Sequence, residues 1–205
     1  MVTAHYFFDP MCGWCYGATQ LAEVLNAAPH VNLVLHPGGM IKRRKMDNDF
    51  RQRVKGYDQK IALLTGQLFS DVYYNKLASN ETIVLDSYIT ALAVNVMGNL
   101  NNKSVEMLKA IQQAYYQYAL DVSDQHILAD IAGQFGIERN EWLSLMLLEE
   151  QQINNQIKQN QKLMEQWSVK GFPTFIIEKE DNLTLLAHEN FYNDPIKWKI
   201  FIEKM

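Results

Sequence analysis

Two cysteines stand three positions apart in Cys12-Gly13-Trp14-Cys15, and the chain has no others. At the start of a helix, sulfurs at i and i+3 can close a small disulfide ring. The first sulfur then lies beside unpaired backbone N–H groups and the positive end of the helix dipole, both of which favour thiolate over thiol. A thiolate is the attacking species in disulfide exchange, and a second thiol one turn on can resolve the mixed disulfide. Cys12 therefore reads as the nucleophile and Cys15 as the resolving cysteine. A zinc site would need four ligands. There is no second cysteine pair, and His5, His30, His36, His126 and His188 are scattered, so no metal is expected. A purely structural disulfide is a weak alternative, because so short a loop gains little from closure.

The flanking residues supply the elements that such a pair needs. His5-Tyr6-Phe7-Phe8 is strand-like, Asp9-Pro10-Met11 breaks the run, and Gly17 to Leu25 reads as a helix with Leu21, Val24 and Leu25 on one face. Val31 to Leu35 alternates like a strand and ends at His36-Pro37-Gly38-Gly39-Met40. Two strands joined by a helix make a parallel, right-handed βαβ unit. Between Ile41 and Trp167 the strand pattern disappears. The periodicity predicts helices near 47–56, 58–64, 67–78, 84–97, 103–120, 125–135, 139–147 and 149–168. Asp124 is expected to cap one of them, Asn102 with Glu106 to frame another, and Gly136 to end one. Val105, Leu108, Ala110, Ile111, Tyr115, Tyr118 and Ala119 form a stripe read as core. Strands return at Gly171 to Glu178 and Leu183 to Ala187, with Glu180-Asp181-Asn182 as the turn of a hairpin. Asp194-Pro195 starts a last helix, with Ile196, Ile200 and Phe201 on its apolar side.

The chain of 205 residues is 48% hydrophobic and 20% charged, enough for one large domain or a domain with an insertion. A net charge of −4 argues against nucleic acid as a partner, and Lys42-Arg43-Arg44-Lys45 reads as a solvated helix start. No apolar run approaches the ~20 residues that cross a bilayer, so no membrane association is expected. Met1-Val2-Thr3-Ala4 enters the first strand without the pattern of a secretory signal. The expected location is the cytoplasm, where such a pair is kept largely reduced.

The string Phe8-Asp9-Pro10-Met11-Cys12-Gly13-Trp14-Cys15-Tyr16-Gly17, with the order of elements around it, resembles the DsbA family. It looks like the branch of predicted protein-disulfide isomerases related to FrnE-type dithiol–disulfide isomerases. Gly171-Phe172-Pro173-Thr174, about 155 residues on, is similar to that family's Gly-x-Pro-Thr loop, whose proline is cis. The resemblance implies an α/β thioredoxin fold with a large all-helical insertion: residues 1–40 and 149–205 as a discontinuous thioredoxin-like domain and 41–148 as the insertion. It implies exchange with protein thiol and disulfide substrates, glutathione or a thioredoxin-type reductant as electron partner, no cofactor, and a monomer. Beside the cysteines, Phe172 and Pro173 would border a groove whose exposed backbone pairs with an extended substrate. Trp14, Met11 and Tyr16 would supply its apolar surface, whereas Met40 reads better as core.

Two departures from the family carry chemical weight. Gly-Trp stands between the cysteines, where Pro-His resembles the strongly oxidising members. Without an imidazole there, the expected potential lies between about −180 and −270 mV, on the reducing side of the roughly −120 mV of DsbA. Many thioredoxin-fold proteins place a buried acid six residues before the first cysteine; that position is Tyr6. Either a phenol, water, His5 or His36 then moves the proton of Cys15, or that step is slower; His36 alone reads as an ordinary satisfied histidine. Two other function classes remain open. Kappa-class glutathione transferases and 2-hydroxychromene-2-carboxylate isomerases share the topology but place serine where Cys12 stands. A holdase or adaptor would work through the helical surface, independently of Cys12.

Overall fold

A computed structural model describes residues 2–180 and 182–205. The centre of the molecule is β1 (Val2–Phe8), buried on both faces as its nearly continuous apolar sequence requires. It pairs in parallel with β2 (Val31–Pro37), from Val2 opposite Val31 to Phe8 opposite Pro37. On its other side it pairs antiparallel with β5 (Thr174–Lys179), from Thr3 opposite Glu178 to Phe7 opposite Thr174. An exposed edge strand, β6 (Asn182–Leu185), completes the order β2-β1-β5-β6. The rings of Tyr6 and Phe175 stack at 4.3 Å across the β1–β5 pair, fixing which face of each strand looks toward the cysteines. The turn expected at Glu180-Asp181-Asn182 contains Asp181, which lies outside the described residues.

Between β1 and β2 the chain forms α1 (Gly13–Gly17) and, after a break at Ala18, α2 (Thr19–Ala27). The insertion is helical, but its divisions differ from those read in the sequence. The helices expected at 47–56 and 58–64 are one, α3 (Asn48–Thr65), capped by Asp47 and ended by Gly66 at φ 71°. α4 (Asp71–Ala78) follows, capped by Ser70. Two short strands the periodicity missed, β3 (Arg44–Lys45) and β4 (Val84–Leu85), pair across the base of the insertion; runs of two residues carry no alternation. α5 (Ser87–Asn101), α6 (Ser104–Tyr116) and α7 (Gln125–Gly133) come next. Asn102 is the left-handed cap ending α5, at φ 58°, rather than the start of the next helix. Asp124 caps α7 as expected, and Gly136, at φ 83°, turns the chain after it. Tyr118 falls beyond the end of α6 and is 65% exposed, so it leaves the expected stripe, whereas Val105, Leu108, Ile111 and Tyr115 are buried.

The helices expected at 139–147 and 149–168 are also one, α8 (Arg139–Gln166), 28 residues long. It packs on α5 and α7 at its start and on β2 at its end. The boundary expected at 148/149 therefore falls inside a single helix, and the sheet and the insertion share a continuous rod. A 3₁₀ turn (His188–Phe191) leads to α9 (Pro195–Glu203), which begins at Asp194 with Pro195 in its first turn. Its inward face is Trp198 and Ile202, not Ile196, Ile200 and Phe201, which are 72%, 47% and 38% exposed. The indole N–H of Trp198 donates to the Leu21 carbonyl, which draws that face onto α2.

Candidate active site

Cys12 is the cap residue of α1, with extended backbone at φ −89° and ψ 118°, and Cys15 lies inside the first turn. Both are free thiols; Cys12 is 8% exposed and Cys15 fully buried. The proximity of the Cys15 thiol, then the backbone N–H groups of Cys15 and Trp14, hold the Cys12 thiol below its ordinary range despite burial. Burial, then the neighbouring Cys12 sulfur, push Cys15 well above its ordinary range. The pair is thus asymmetric: the negative charge rests on Cys12 and the proton on Cys15, the division that attack by one and resolution by the other requires.

The peptide between Phe172 and Pro173 is cis, and the Phe172 carbonyl lies 3.8 Å from Cys12 Sγ. Residues from the two ends of the sequence meet here because β1 and β5 are paired neighbours. The Phe172 ring rests on Gly38, where a Cβ would stand 1.9 Å from the ring. Glycine is therefore required at position 38 for the loop to reach the cysteines.

Trp14 is half-buried, its ring stacked with Tyr192 at 6.1 Å, and separates two hollows. On one side, Phe172, Pro173, Tyr192 and Leu64 border an open groove of about 540 Å³. On the other, Met11, Cys12, Gly13 and Met40 border a cavity of about 230 Å³ that runs under the helical insertion. Met40, read as core, is 45% exposed and belongs to this cavity. Tyr16 lies apart from both hollows. It is buried, stacked on Tyr116 at 4.8 Å, with its hydroxyl donating to the Leu68 carbonyl and accepting from Gln117 Nε2. Its place in the expected apolar surface is a correction: one residue past Cys15, a five-residue helix has turned that side chain toward α6.

Two acids with no motif of their own in the sequence flank the pair. Asp9 is fully buried, and its backbone N–H points at Cys15 Sγ, 3.4 Å away. Its carboxylate accepts from Met11 N at 2.9 Å, Ser87 Oγ at 2.6 Å and Met40 N at 2.6 Å. Burial raises its pKa to about 6 against those three donors. Asp9 therefore clamps the loop before α1, the turn after β2 and the start of α5 together around the cysteines. In the sequence, an Asp three residues before Cys12 looks only like a strand breaker. The second acid, Asp58 on α3, reaches the cavity from the insertion. Tyr6, at the position of the usual acid, directs its hydroxyl to the Cys15 carbonyl at 3.5 Å. His5 and His36 bond to each other at 2.9 Å and pack around Trp167 and Phe7. Among the described residues no group of His, Cys, Asp and Glu has the arrangement of a metal site.

Comparison with known proteins agrees with this geometry. In solved structures the chain is similar to the cytosolic disulfide reductase DsbM from Pseudomonas aeruginosa, at 29% identity, 98% of this chain, 97% of that one and a TM-score of 0.91. The same protein solved with GSH matches at 28% identity, 98% of both chains and a TM-score of 0.90. A 2-hydroxychromene-2-carboxylate isomerase shares the fold more loosely, at 13% identity over 98% of this chain and 97% of that one, with a TM-score of 0.62. A search of curated proteins gave no significant match. The DSBA-like thioredoxin domain matches residues 3–191, and the chain, a thiol–disulfide oxidoreductase by its cysteine pair and its structural likeness, belongs to that family.

Proposed function

We propose that the protein works in the reducing direction, as a cytosolic reductase of protein disulfides whose dithiol is regenerated by a glutathione-type thiol. The Cys12 thiolate attacks a substrate disulfide, forming a mixed disulfide and expelling one substrate sulfur as thiolate. Cys15 loses its proton and attacks Cys12 Sγ, closing the Cys12–Cys15 disulfide and expelling the second substrate sulfur. Two external thiols then give up two protons and two electrons to restore the pair and leave as a disulfide. The cis loop, with the Phe172 carbonyl beside Cys12, offers an extended substrate a place to pair. Trp14, Phe172, Pro173 and Met11 are the contacts proposed for it.

The observation that carries the direction is the residue pair between the cysteines. Gly13 and Trp14 put no cation beside Cys12, so thiol and backbone donors alone hold its charge. Charge-assisted contacts contribute about 1.5–3 kcal/mol, and 30 mV corresponds to about 1.4 kcal/mol for a two-electron couple. Lacking one such contact moves the pair tens of millivolts toward reduction of substrates. The 29% identical DsbM, a cytosolic disulfide reductase, supports the same direction and compartment, and its structure with GSH supports the class of thiol. Cysteine at position 12, where the fold's transferase and isomerase relatives place serine, speaks against those chemistries.

The test is equilibration in graded glutathione buffers, read by the fluorescence of Trp14, with insulin-disulfide reduction by wild type and Cys12→Ser. A potential between about −180 and −270 mV and loss of insulin reduction in Cys12→Ser are expected. A potential near −120 mV would recast the protein as an oxidant.

A further inference from the structure

Asp58 belongs to α3, yet it stands against the start of α1. A Cβ added to Gly13 would meet Asp58 Oδ1 at 2.5 Å. The residue after Cys12 is therefore glycine for a steric reason: the carboxyl occupies the space where any side chain would begin. Asp58 is 2% exposed. Its Oδ2 accepts from the Tyr73 hydroxyl at 2.6 Å. Among the described residues no donor reaches Oδ1, and Asp58 lines the cavity that Cys12 also lines. The rest of that wall is mostly apolar, including Met11, Ile61 and Leu85, so two groups able to carry negative charge share one poorly solvated space.

We propose that Asp58 is a positioning residue whose charge competes with the Cys12 thiolate for the start of α1, so that the insertion sets the reactivity of the cysteine pair. The reading rests on Cys12 being the attacking sulfur. When Asp58 holds its proton, Cys12 ionises against neutral neighbours. When Asp58 is ionised, the second negative charge at the same helix start is disfavoured. Loss of the first proton is then shared between Asp58 and Cys12, and the second comes off at higher pH, as in any pair of coupled acids. Burial, opposed by the Tyr73 hydrogen bond, raises Asp58 to about 7, the range in which this competition acts near neutrality. The other titratable groups around it are Tyr73 and Tyr74 on α4, Tyr115 and Tyr116 on α6, and Cys15 and Asp9 beside Cys12. Burial raises all four tyrosines, which stay neutral. Asp9 raises Cys12, the sign proposed for Asp58, so variants must separate the two acids.

The experiment measures the rate of iodoacetamide labelling at Cys12, located by mass spectrometry, from pH 4 to 9, together with the glutathione equilibrium at pH 7.5. In the wild type the Cys12 rate should rise in two steps. Asp58→Asn, which keeps an acceptor for Tyr73, should remove the upper step and shift the equilibrium toward the dithiol by about three- to tenfold. Tyr73→Phe deletes the bond that favours the carboxylate; it should move the upper step to higher pH, and it serves if Asp58→Asn does not fold. Labelling of Cys15 before Cys12 would overturn the reading of Cys12 as the nucleophile. Labelling at Cys12 whose pH profile and glutathione equilibrium match the wild type in Asp58→Asn, or in Tyr73→Phe if that variant alone folds, would overturn the role of Asp58 while leaving that reading intact.

Discussion

The two faces of the central sheet bury polar groups under opposite terms. Behind β1, His5, His36 and Asn160 form a continuous row of close polar contacts that ends at Glu178. Asn160 Nδ2 donates to the Pro37 carbonyl at 3.0 Å, which turns its Oδ1 toward His36 Nδ1 at 3.1 Å. That contact puts the His36 proton on Nδ1, so Nε2 accepts from His5 Nδ1–H at 2.9 Å; His5 Nε2, 3.1 Å from the Glu178 carboxylate, donates there when the ring carries both protons. In front of β1, the cysteine cavity holds a thiol pair biased toward charge on one sulfur and an Asp58 with one oxygen unpartnered. A fully paired buried network stiffens and specifies a fold; a half-paired one keeps groups whose charge state can change. Within one sheet, completeness of hydrogen bonding separates the structural side from the chemical side.

Asp9 is the exception on the chemical side, and it gives the largest effect. Its carboxylate is fully paired, and Asp9→Ala would leave the Met11 and Met40 N–H groups and the Ser87 hydroxyl without an acceptor. A loss of about 3–5 kcal/mol in urea-unfolding free energy is expected. Asp9→Asn, which retains an acceptor, should lose clearly less; equal losses would mean that the clamp contributes little. Asp58 should behave in the opposite way. Its folded pKa of about 7 lies above the ordinary 3.8, so the folded state binds the proton more tightly and its contribution falls as pH rises between those values. Relative to wild type, Asp58→Asn should gain on the order of 2–4 kcal/mol between pH 4 and pH 8. A difference between the two proteins that does not vary with pH would mean that Asp58 is not held protonated, and the contrast between the faces would fail.

Legibility in the sequence followed distance along the chain. Cys12 and Cys15 announce themselves by spacing, and Phe172-Pro173 by a local string, because each is made within a few residues. Asp58 had no such signal: it lies 46 residues beyond Cys12, and only the packing of α3 on α1, allowed by a glycine, brings them together. Tyr16 misled because adjacency to a reactive cysteine does not fix direction on a helix of five residues. The core of α9 misled for a related reason. Apolar residues occupy several sides of that helix, and the indole N–H of Trp198, by finding the Leu21 carbonyl, decides which side turns inward. Helix length is also poorly legible in the sequence. Polar runs such as Glu149 to Gln152 look like breaks between helices, yet α8 runs through them as one continuous rod, with Glu149 accepting from Asn95 and Asn99 on α5.

On the structural face, removing one link should cost less than removing the Asp9 clamp, because each member has fewer dependants. Asn160→Ala would leave His36 Nδ1–H and the Pro37 carbonyl unpaired, a loss of about 1–2 kcal/mol. Asn160→Asp keeps the acceptor for His36 but gives up the donor to Pro37 and buries a charge. If urea unfolding shows Asn160→Asp as stable as wild type at neutral pH, the donor half of the link is dispensable and the row is not specified end to end.

The smallest effect concerns how the two faces respond to acid. Burial holds His36 below its ordinary pKa, against the help of Asn160. The folded state therefore binds a proton at His36 less readily than the unfolded chain does. Its contribution to stability is complete above about 6.5, the unfolded value, and is lost as pH falls from there through the folded value. This slope is opposite in sign to that of Asp58, which strengthens the fold as pH falls through 7. His188, also lowered by burial, acts in the same sense as His36 and would remain in any His36 variant. His36→Phe keeps a ring to stack on Phe7, which lies 4.5 Å from the imidazole, but breaks the row, so its stability at pH 8 should drop. Between pH 7 and pH 4 its unfolding free energy should then fall less steeply, or rise more, than that of wild type. Thermal unfolding at matched ionic strength measures the difference, and parallel curves for the two proteins would show that the satisfied face carries no proton linkage of its own.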